Sequence, residues 1–326
     1  MTARTGRPAD ILRQNEDSAH GGDGWVGREG DLRADFGTIW ADCGVPAEFG
    51  RLRTVLMHRP GVEIDDVPDF RAALWLDAID PIKARDQHDA FRAFYEANGV
   101  TIHPLGDANP AMPNSYFCRD TFCMSPEGAI MSRMASVSRA GEERVAAAAL
   151  ARAGVPIAAT ISGVGTYEGA DVVIASEDLV FVGHGMRSNK AGAEQVAEVF
   201  RRAGAAEVEI VQIPYGCGHI DGTLNLIDRD LALVMPTQLS WVVYEALRRH
   251  GFRFIDLPDL AEAQGGMAIN LVPLAPGVVV MPAGNPITRA ALEKQGVEVF
   301  EVVVDELMKG GGSVHCMTGV IKRDRP

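Results

Sequence analysis

The sequence predicts an α/β protein in which one strand–helix–strand unit is used five times, giving five small sheets around an axis with the helices outside. Short apolar runs recur along the chain, and the last four begin at residues 129, 179, 231 and 278, in steps of 50, 52 and 47. A near-constant period of this size is typical of repeat architectures. Each run is followed by an amphipathic segment that stops at a glycine and leads to another β-rich run.

A doubly wound parallel sheet is the ordinary alternative for such an alternation of strands and helices. That fold usually carries a glycine-rich phosphate loop after an early strand. No such loop links the first apolar run to the first helical segment, because the intervening residues 60–83 contain a single glycine. The five-fold arrangement is therefore the favoured prediction.

The predicted elements follow in order along the chain. The first strands of the units are expected at residues 54–59, 129–134, 179–184, 231–236 and 278–283. The helices are expected at residues 84–98, 142–153, 189–203, 238–250 and 288–295. The second strands are expected at residues 100–104, 156–161, 208–214, 252–257 and 297–304. A final apolar strand is predicted over residues 314–322, with Cys316 near its start, directly after three glycines that let the backbone turn closely around a ligand.

Composition limits the classes of partner. The 326 residues are 47% hydrophobic, which suits a folded protein with a substantial core, and they carry a net charge of −13. This acidity disfavours nucleic acid and anionic membranes as partners. No stretch of 18 apolar residues is present, so a membrane span is not expected.

The polar segment 1–36 lacks the apolar region of a secretory signal and is predicted to be a flexible N-terminal arm. An oligomer contact is the alternative, so a homo-oligomer stays open. Residues 37–326 are predicted to form a single catalytic domain. The cysteines are odd in number, five, and scattered, which favours reduced thiols and a cytoplasmic location. Cys118 and Cys123 have no second pair of ligands at zinc spacing, and neither a metal nor a cofactor is expected.

Polar residues concentrate in connectors beside the apolar runs, at residues 113–122, 166–171, 216–222 and 310–318. Loops on a rigid scaffold are the usual place for chemistry. Each residue alone has an ordinary explanation: Asn114 and Asp120 suit turns, His219 suits a satisfied turn histidine, and Cys316 suits a small buried apolar position. Their combination at equivalent places in a repeat is what favours a functional site.

These residue types predict a specific chemistry. Three carboxylates, those of Asp120, Glu168 and Asp221, are too many negative charges around a nucleophile unless a cation binds there. A planar guanidinium matches carboxylates in bidentate fashion. Its carbon is a weak electrophile and needs a strong nucleophile such as the Cys316 thiolate, while His219 can protonate the leaving amine and then activate water. The set favours substitution at an amidine carbon, with no metal required.

Several motifs carry a family resemblance. They are Gly50-Arg-Leu-Arg-Thr-Val-Leu-Met-His-Arg-Pro-Gly61, Asn114-x-x-Phe-x-Arg-Asp120, Glu168-Gly-x-Asp171, His219-x-Asp221 and the Gly-x-x-His-Cys-Met-Thr run that ends at Thr318. With them the chain resembles the guanidino-group-modifying enzymes, namely arginine deiminases, dimethylarginine dimethylaminohydrolases and amidinotransferases. It is most similar to arginine deiminase-like members without the helical insertion. The resemblance implies a five-bladed α/β propeller, the pentein fold.

The resemblance also implies roles for individual residues. Cys316 would be the nucleophile, His219 the acid and base, and Glu168 the residue that orients His219. Asp120 and Asp221 would hold the guanidinium nitrogens. The remaining substrate-binding residues would be Asn114, Phe117, Arg187 and Arg139, with the two arginines at the substrate carboxylate.

The function expected from the resemblance is hydrolysis of free arginine or a close analogue through a Cys-linked thiouronium, giving a citrulline-like ureido product and ammonia or an alkylamine. A methylarginine hydrolase and an amidinotransferase are the nearest rivals. A non-enzymatic propeller, such as the ribosome anti-association factors, is the rival from another class. Ala170 stands where the family commonly has a glycine, and the helical insertion that arginine deiminases usually carry is missing here. These differences leave the identity of the substrate open. Residues 57–80, rich in acids and without clear periodicity, are the predicted lid.

Overall fold

The computed structural model describes residues 18–107 and 109–326 of the chain. These divide into two compact units, with the boundary between Asp35 and Phe36. The described part of the first unit holds two 3-10 turns, Ser18–His20 and Leu32–Asp35. Residues 1–17 of the predicted arm lie outside the described residues, so its flexibility stays a prediction. Residues 22–27 have G-x-G-x-x-G spacing, but no described strand precedes them, which leaves them without the context of a dinucleotide site.

In the described part of the second unit, fifteen strands form five sheets of three strands each. The strands are β1 (Leu52–Met57), β2 (Thr101–Pro104), β3 (Phe122–Ser125), β4 (Gly128–Met131), β5 (Ile157–Thr160), β6 (Val172–Ile174), β7 (Leu179–His184), β8 (Glu207–Gln212), β9 (Leu224–Asp228), β10 (Leu231–Val234), β11 (Arg253–Asp256), β12 (Val272–Ala275), β13 (Val278–Pro282), β14 (Glu298–Val302) and β15 (Gly319–Arg323).

The sheets share one topology. The central strand of each pairs antiparallel with one neighbour and parallel with the other, in the orders β15-β1-β2, β3-β4-β5, β6-β7-β8, β9-β10-β11 and β12-β13-β14. In the third sheet, for example, Val182 faces Val172 on the antiparallel side, and Leu179 faces Glu207 on the parallel side. The first sheet joins β1 to β15, two strands far apart in the sequence, and this pairing links the beginning of the repeat to its end.

Helices connect the parallel strands, as such pairs require. The helices of the described residues are α1 (Pro81–Ala97), α2 (Glu142–Arg152), α3 (Lys190–Arg202), α4 (Trp241–Arg249), α5 (Leu260–Gln264), α6 (Pro286–Lys294) and α7 (Asp305–Met308). Of these, the short helices α5 and α7 lie between strands of different sheets. Asp80 caps α1 by accepting from the Ile82 and Lys83 N–H groups. The predicted glycine stops all have positive φ, at Gly99, Gly154, Gly204, Gly251 and Gly296. None of the helices in the described chain is both long and apolar enough to cross a bilayer.

The core lies between the sheets and the inner faces of the helices. Strands β4 and β10 are buried along their whole length, which explains their unbroken apolar sequences. Ala146, Ala149 and Leu150 of α2 are fully buried or nearly so. Burying both faces of these short strands fixes the sheets as a rigid frame from which the connecting loops project.

Two predictions about the elements need correction. In four of the five sheets the antiparallel strand was missed, because β3, β6, β9 and β12 are three to five residues long and adjoin the polar connectors. The predicted strand 314–322 begins only at Gly319. Residues 313–318 form a turn, in which the Met317 N–H donates to the Ser313 carbonyl and the Thr318 hydroxyl donates to the Val314 carbonyl. Cys316 therefore lies on a turn before the strand, and its side chain is free to face the neighbouring loops.

Candidate active site

The polar residues of interest lie at one structurally equivalent place in each repeat, just before the antiparallel strand. One such residue lies two to five positions before each of these strands: Asp120 before β3, Glu168 before β6, His219 before β9, Asn270 before β12 and Cys316 before β15. In the first three cases a short 3-10 turn connects the residue to the strand. The repeat therefore gathers side chains that are up to about 200 positions apart in the sequence.

The glycines before Cys316 are required by close packing. A Cβ atom at Gly310 would lie 1.7 Å from the Tyr116 hydroxyl oxygen, and one at Gly312 would lie 2.7 Å from the Phe117 ring. Gly311 has φ of 90°, a region that favours glycine. The run thus lets the backbone before Cys316 press against the aromatic pair Tyr116–Phe117, whose ring centroids are 4.1 Å apart.

One cavity of about 110 Å³ contains most of the predicted site. Its walls are formed by Leu74, Asn114, Phe117, Asp120, Arg139, Arg187, Gly218, His219, Gly310, Gly311, Gly312 and Cys316. The cavity therefore brings together the predicted nucleophile and the predicted acid and base. Glu168 and Asp221 are not part of this wall. Glu168 lies behind it and contacts His219 and Arg187, whereas Asp221 lies beside a separate void.

Glu168 is fully buried and holds His219 from behind. Its Oε2 atom lies 2.8 Å from His219 Nε2 and 3.3 Å from Arg187 Nη1. Burial would raise the pKa of Glu168, but the hydrogen bond with His219 and the charges of His219, Arg139 and Arg187 lower that pKa to about 2. Glu168 is therefore a permanent anion that fixes the orientation of the imidazole.

The imidazole of His219 is correspondingly a strong cation. Burial would lower its pKa, but the carboxylates of Asp171 and Asp120 and the hydrogen bond with Glu168 raise the pKa to about 10. Near neutral pH the ring carries both protons. His219 is therefore ready to act as an acid toward a group that enters the cavity.

Arg139 is a buried cation in the same wall. Its Nη1 atom donates to Asp120 Oδ2, its Nη2 atom donates to Glu142 Oε2 at 2.7 Å, and its guanidinium carbon lies 6.0 Å from the centroid of the Phe117 ring. Burial opposes the charge, yet Glu142, Asp120 and Glu168 raise the pKa of Arg139 well above its ordinary value. The other oxygen of Asp120, Oδ1, is buried and makes no hydrogen bond with any described residue.

Asp221 lies in a second, much smaller void of about 10 Å³ that it shares with Arg119, Glu48 and His315. Its Oδ2 atom lies 3.0 Å from His315 Nδ1 and 4.0 Å from Arg119 Nε. Burial would raise the pKa of Asp221, but the neighbouring His315, His219 and Arg119 lower it. This carboxylate is therefore charged, and its contact with His315 places it next to the turn that carries Cys316.

Cys316 is partly exposed to the cavity, with protein on its other sides. Burial, followed by the charges of Asp120 and Asp221, raises the pKa of its thiol to about 12. The side chain of Asn270 opposes this shift, because its Nδ2 atom donates to the sulfur at 3.0 Å. Asn270 was not predicted as a site residue, although its position two residues before β12 repeats that of Asp120 before β3.

Asn114 lines the cavity, but its amide is already bonded to a neighbouring segment. Its Oδ1 atom accepts from Trp75 Nε1 at 2.8 Å, and its Nδ2 atom donates to the Ala73 carbonyl at 2.7 Å. The adjacent Leu74 has φ of 65° and forms part of the cavity wall. Of the predicted lid 57–80, residues 73–76 are thus the part that lies against the cavity; whether they move stays a prediction.

Asp120, Glu168 and His219 offer ligand atoms that all lie within 4.8 Å of one another, a spacing that suits a cation. Arg139 and Arg187 already bring positive charge to these carboxylates. The arrangement therefore fits an organic cation that is itself a hydrogen-bond donor, as the sequence argument expected for a guanidinium.

Comparison with known proteins agrees with this geometry. The family model described as arginine deiminase matches residues 107–241 and 236–323. An arginine deiminase of Rhodococcus jostii is 26% identical over an alignment of 404 residues that takes in 87% of this chain and 98% of the relative. That alignment is longer than the 326 residues of this chain, so the relative carries segments that are missing here, as the absent insertion predicts.

Solved structures show the same fold. A dimethylarginine dimethylaminohydrolase adduct with 4-chloro-2-hydroxymethylpyridine is 25% identical, has a TM-score of 0.67, and is matched over 82% of this chain and 99% of its own. The product-bound N-terminal domain of ArgZ, an arginine dihydrolase from cyanobacteria, has a TM-score of 0.70 at 18% identity, over 83% and 97% of the two chains. The predicted five-bladed α/β propeller and the predicted class of guanidino-modifying hydrolases are thereby confirmed. The chain belongs to the arginine deiminase family.

Proposed function

We propose that this protein hydrolyses the guanidinium group of free arginine or a close analogue to a ureido group. The supporting observation is that a thiol, an imidazolium and an unpaired carboxylate oxygen, from Cys316, His219 and Asp120, share one cavity of about 110 Å³. Arginine residues at 139 and 187 line the same cavity. A small cationic amino acid with its own carboxylate complements this mixture of charges.

Binding is proposed to place the substrate guanidinium between Asp120 and Asp221. The free Oδ1 atom of Asp120 offers one acceptor, and the charged carboxylate of Asp221 offers another near the sulfur. Arg187 is about one-fifth exposed and bonded only loosely to Glu168, at 3.3 Å, so it is the better placed of the two arginines to receive the substrate carboxylate. Arg139 is more deeply buried and is paired with Asp120 and Glu142, so it would contribute positive charge at the inner edge of the cavity.

The first chemical step is attack of Cys316 sulfur on the guanidino carbon. The cationic substrate offsets the negative charge of Asp120 and Asp221, which lowers the thiol pKa when it is needed. As the sulfur attacks, its proton is lost to solvent. The imidazolium of His219 donates a proton to the leaving nitrogen as the C–N bond breaks, so ammonia or an alkylamine departs and the His219 ring becomes neutral. A thiouronium cation linked to Cys316 remains.

The second step is hydrolysis of this adduct. His219 accepts a proton from water as the water oxygen attacks the thiouronium carbon. The C–S bond then breaks, and the proton of the added hydroxyl passes to the sulfur, so a neutral ureido product leaves and both the thiol and the His219 imidazolium are restored. Glu168 keeps the imidazole oriented in both steps, since it accepts from Nε2 throughout.

The test is a substrate panel. Purified protein is incubated with arginine, Nω-methylated arginines and agmatine, which lacks the carboxylate, and the ureido product is quantified. Turnover of arginine well above that of agmatine is expected if the arginines bind the carboxylate. Cys316→Ala is expected to abolish turnover; undiminished activity in that variant would contradict the mechanism.

A dimethylarginine dimethylaminohydrolase is the second candidate, because a solved enzyme of that activity shares this fold at 25% identity over most of the chain. Preference for methylated arginines in the panel would favour it. Ureido product formed without any added amine would exclude an amidinotransferase. Absence of turnover together with tight arginine binding would favour a non-catalytic role.

A cytoplasmic location is also part of this proposal, whereas a homo-oligomeric state stays open. The described cysteines form no disulfide with one another, which supports the first. Light scattering on the purified protein would measure the second.

A further inference from the structure

We infer that Asn270 is a catalytic residue of this site, a hydrogen-bond donor that stabilises the sulfur of Cys316 as it becomes negatively charged. The inference rests on the proposed function, in which Cys316 is the nucleophile. Its first support is position. The repeat places one polar residue before each antiparallel strand, and Asn270 is the one before β12 in the fifth sheet.

The orientation of the Asn270 amide is fixed by its neighbours. The backbone N–H of His315 donates to Asn270 Oδ1 at 2.8 Å. A backbone N–H can only donate, so the carbonyl end of the amide must face it. The NH₂ end must then face the sulfur of Cys316, which it approaches to 3.0 Å. One side chain therefore bonds to the backbone beside the nucleophile and to the nucleophile itself.

The backbone that carries Asn270 is itself held. Asn225 on β9 is buried, and its Nδ2 atom donates to the carbonyls on both sides of residue 270, that of Leu271 at 2.7 Å and that of Ile269 at 3.4 Å. The N–H of Asn270 also donates to the Met267 carbonyl at 2.9 Å, in a turn where Met267 adopts φ of 48°. The donor is thus pre-positioned and needs no rearrangement when charge develops on the sulfur.

The electrostatics explain why such a donor is needed. The carboxylates of Asp120 and Asp221, which suit the substrate, both disfavour a thiolate at Cys316. The Asn270 amide is a neutral group, so it can favour the thiolate without competing with the substrate cation for the carboxylates. A lysine or arginine in its place would stabilise the thiolate but would repel a guanidinium.

The experiment compares Asn270→Ala and Asn270→Asp with a matched control, Asn98→Ala, whose exposed amide bonds the Phe94 carbonyl at the end of α1. Asn270→Asp is isosteric and keeps the acceptor for the His315 N–H, but it replaces the donor to sulfur with an anionic oxygen. Two quantities are measured from pH 5 to 10: kcat/KM for arginine, and the rate of Cys316 alkylation by 2-chloroacetamidine, read as a mass shift on the intact protein.

A hydrogen bond to a charged group predicts that Asn270→Ala lowers kcat/KM by about tenfold to a hundredfold, with KM nearly unchanged. Its alkylation profile should move to higher pH. Asn270→Asp should be slower still, although its fold is kept, and Asn98→Ala should match the parent protein. If Asn270→Asp retains the parent's rate and pH profile, the residue is only a structural support and the inference is overturned.

The two proposals fail in different ways. Alkylation and turnover that survive Cys316→Ala would overturn the proposed nucleophile, whatever Asn270 does. Turnover that requires Cys316 but is indifferent to both Asn270 variants would overturn only the role of Asn270. Should Asn270→Ala fail to fold, the isosteric aspartate variant alone decides the question.

Discussion

Removing the negative charge of Glu168 is expected to move the titration of His219. In Glu168→Gln the side chain keeps its shape and can still accept a hydrogen bond from Nε2, now without charge. A hydrogen bond to a charged partner contributes about 1.5–3 kcal/mol, against about 0.5–1.5 kcal/mol for a neutral one. The difference is about 1–2 kcal/mol.

One pKa unit corresponds to about 1.4 kcal/mol, so the His219 pKa should fall by roughly one unit. From about 10 in the parent protein it would come down to about 9, because Asp171 and Asp120 still favour the imidazolium. His219 contributes stability that is fully present below its unfolded pKa of about 6.5 and is lost as pH rises through its folded pKa. In the variant, whose folded His219 pKa is lower, this loss should be smaller and should be complete at lower pH.

The assay is the titration of the His219 ring protons by NMR, together with urea unfolding at pH 6 and pH 9.5. Glu96→Gln is the control, because Glu96 is an exposed carboxylate paired with Arg92 on α1, away from the cavity. The parent protein and the control should lose the same stability between the two pH values. A His219 pKa that stays near 10 in Glu168→Gln would refute the reasoning that this carboxylate helps to hold the imidazole charged.

Three further changes test the frame around the site. Arg139→Met leaves Asp120 and Glu142 buried without their cation, so it should lower the free energy of unfolding by about 3–5 kcal/mol in urea titrations. Arg92→Met, at an exposed ion pair, is the control, and an equal loss of stability in the two variants would contradict this expectation. Gly310→Ala places a methyl group 1.7 Å from the Tyr116 hydroxyl oxygen, so kcat/KM should collapse, and equal activity would show that the turn relaxes freely. Asn189→Ala removes the cap of α3 and should lower stability by about 1 kcal/mol in the same titrations, whereas no change would mean that solvent replaces the cap.

The repeat could be predicted because it depends on local patterns. The central strand at residues 179–184 matches β7 at both ends, and the glycine stops coincide with positive φ angles. The antiparallel strands could not be predicted in the same way. The shortest of them, β6, has only the three residues Val172–Ile174, which is too few for a periodicity to emerge.

Site residues with chemically distinctive side chains could be predicted from the sequence, whereas residues with common polar side chains or tertiary contacts could not. Cys316 and His219 stood out by their residue types, and both line the cavity. Asn270 lies in a connector whose other residues are small or apolar, so only its place in the repeat distinguishes it. The hydrogen bond from Trp75 to Asn114 could not be predicted from the sequence, because the two residues are 39 positions apart and meet only in the tertiary fold.

The pairing of β1 with β15 has a consequence for biosynthesis. Val320 must lie opposite Val55 before the ring of sheets is shut, and the turn that presents Cys316 directly precedes that strand. While the ribosome is still extending the chain, the sulfur has no partner sheet to lock it beside the other loops. Assembly of the site around Cys316 is therefore tied to closure of the ring, and the thiol is placed beside the other loops only when β15 pairs with β1.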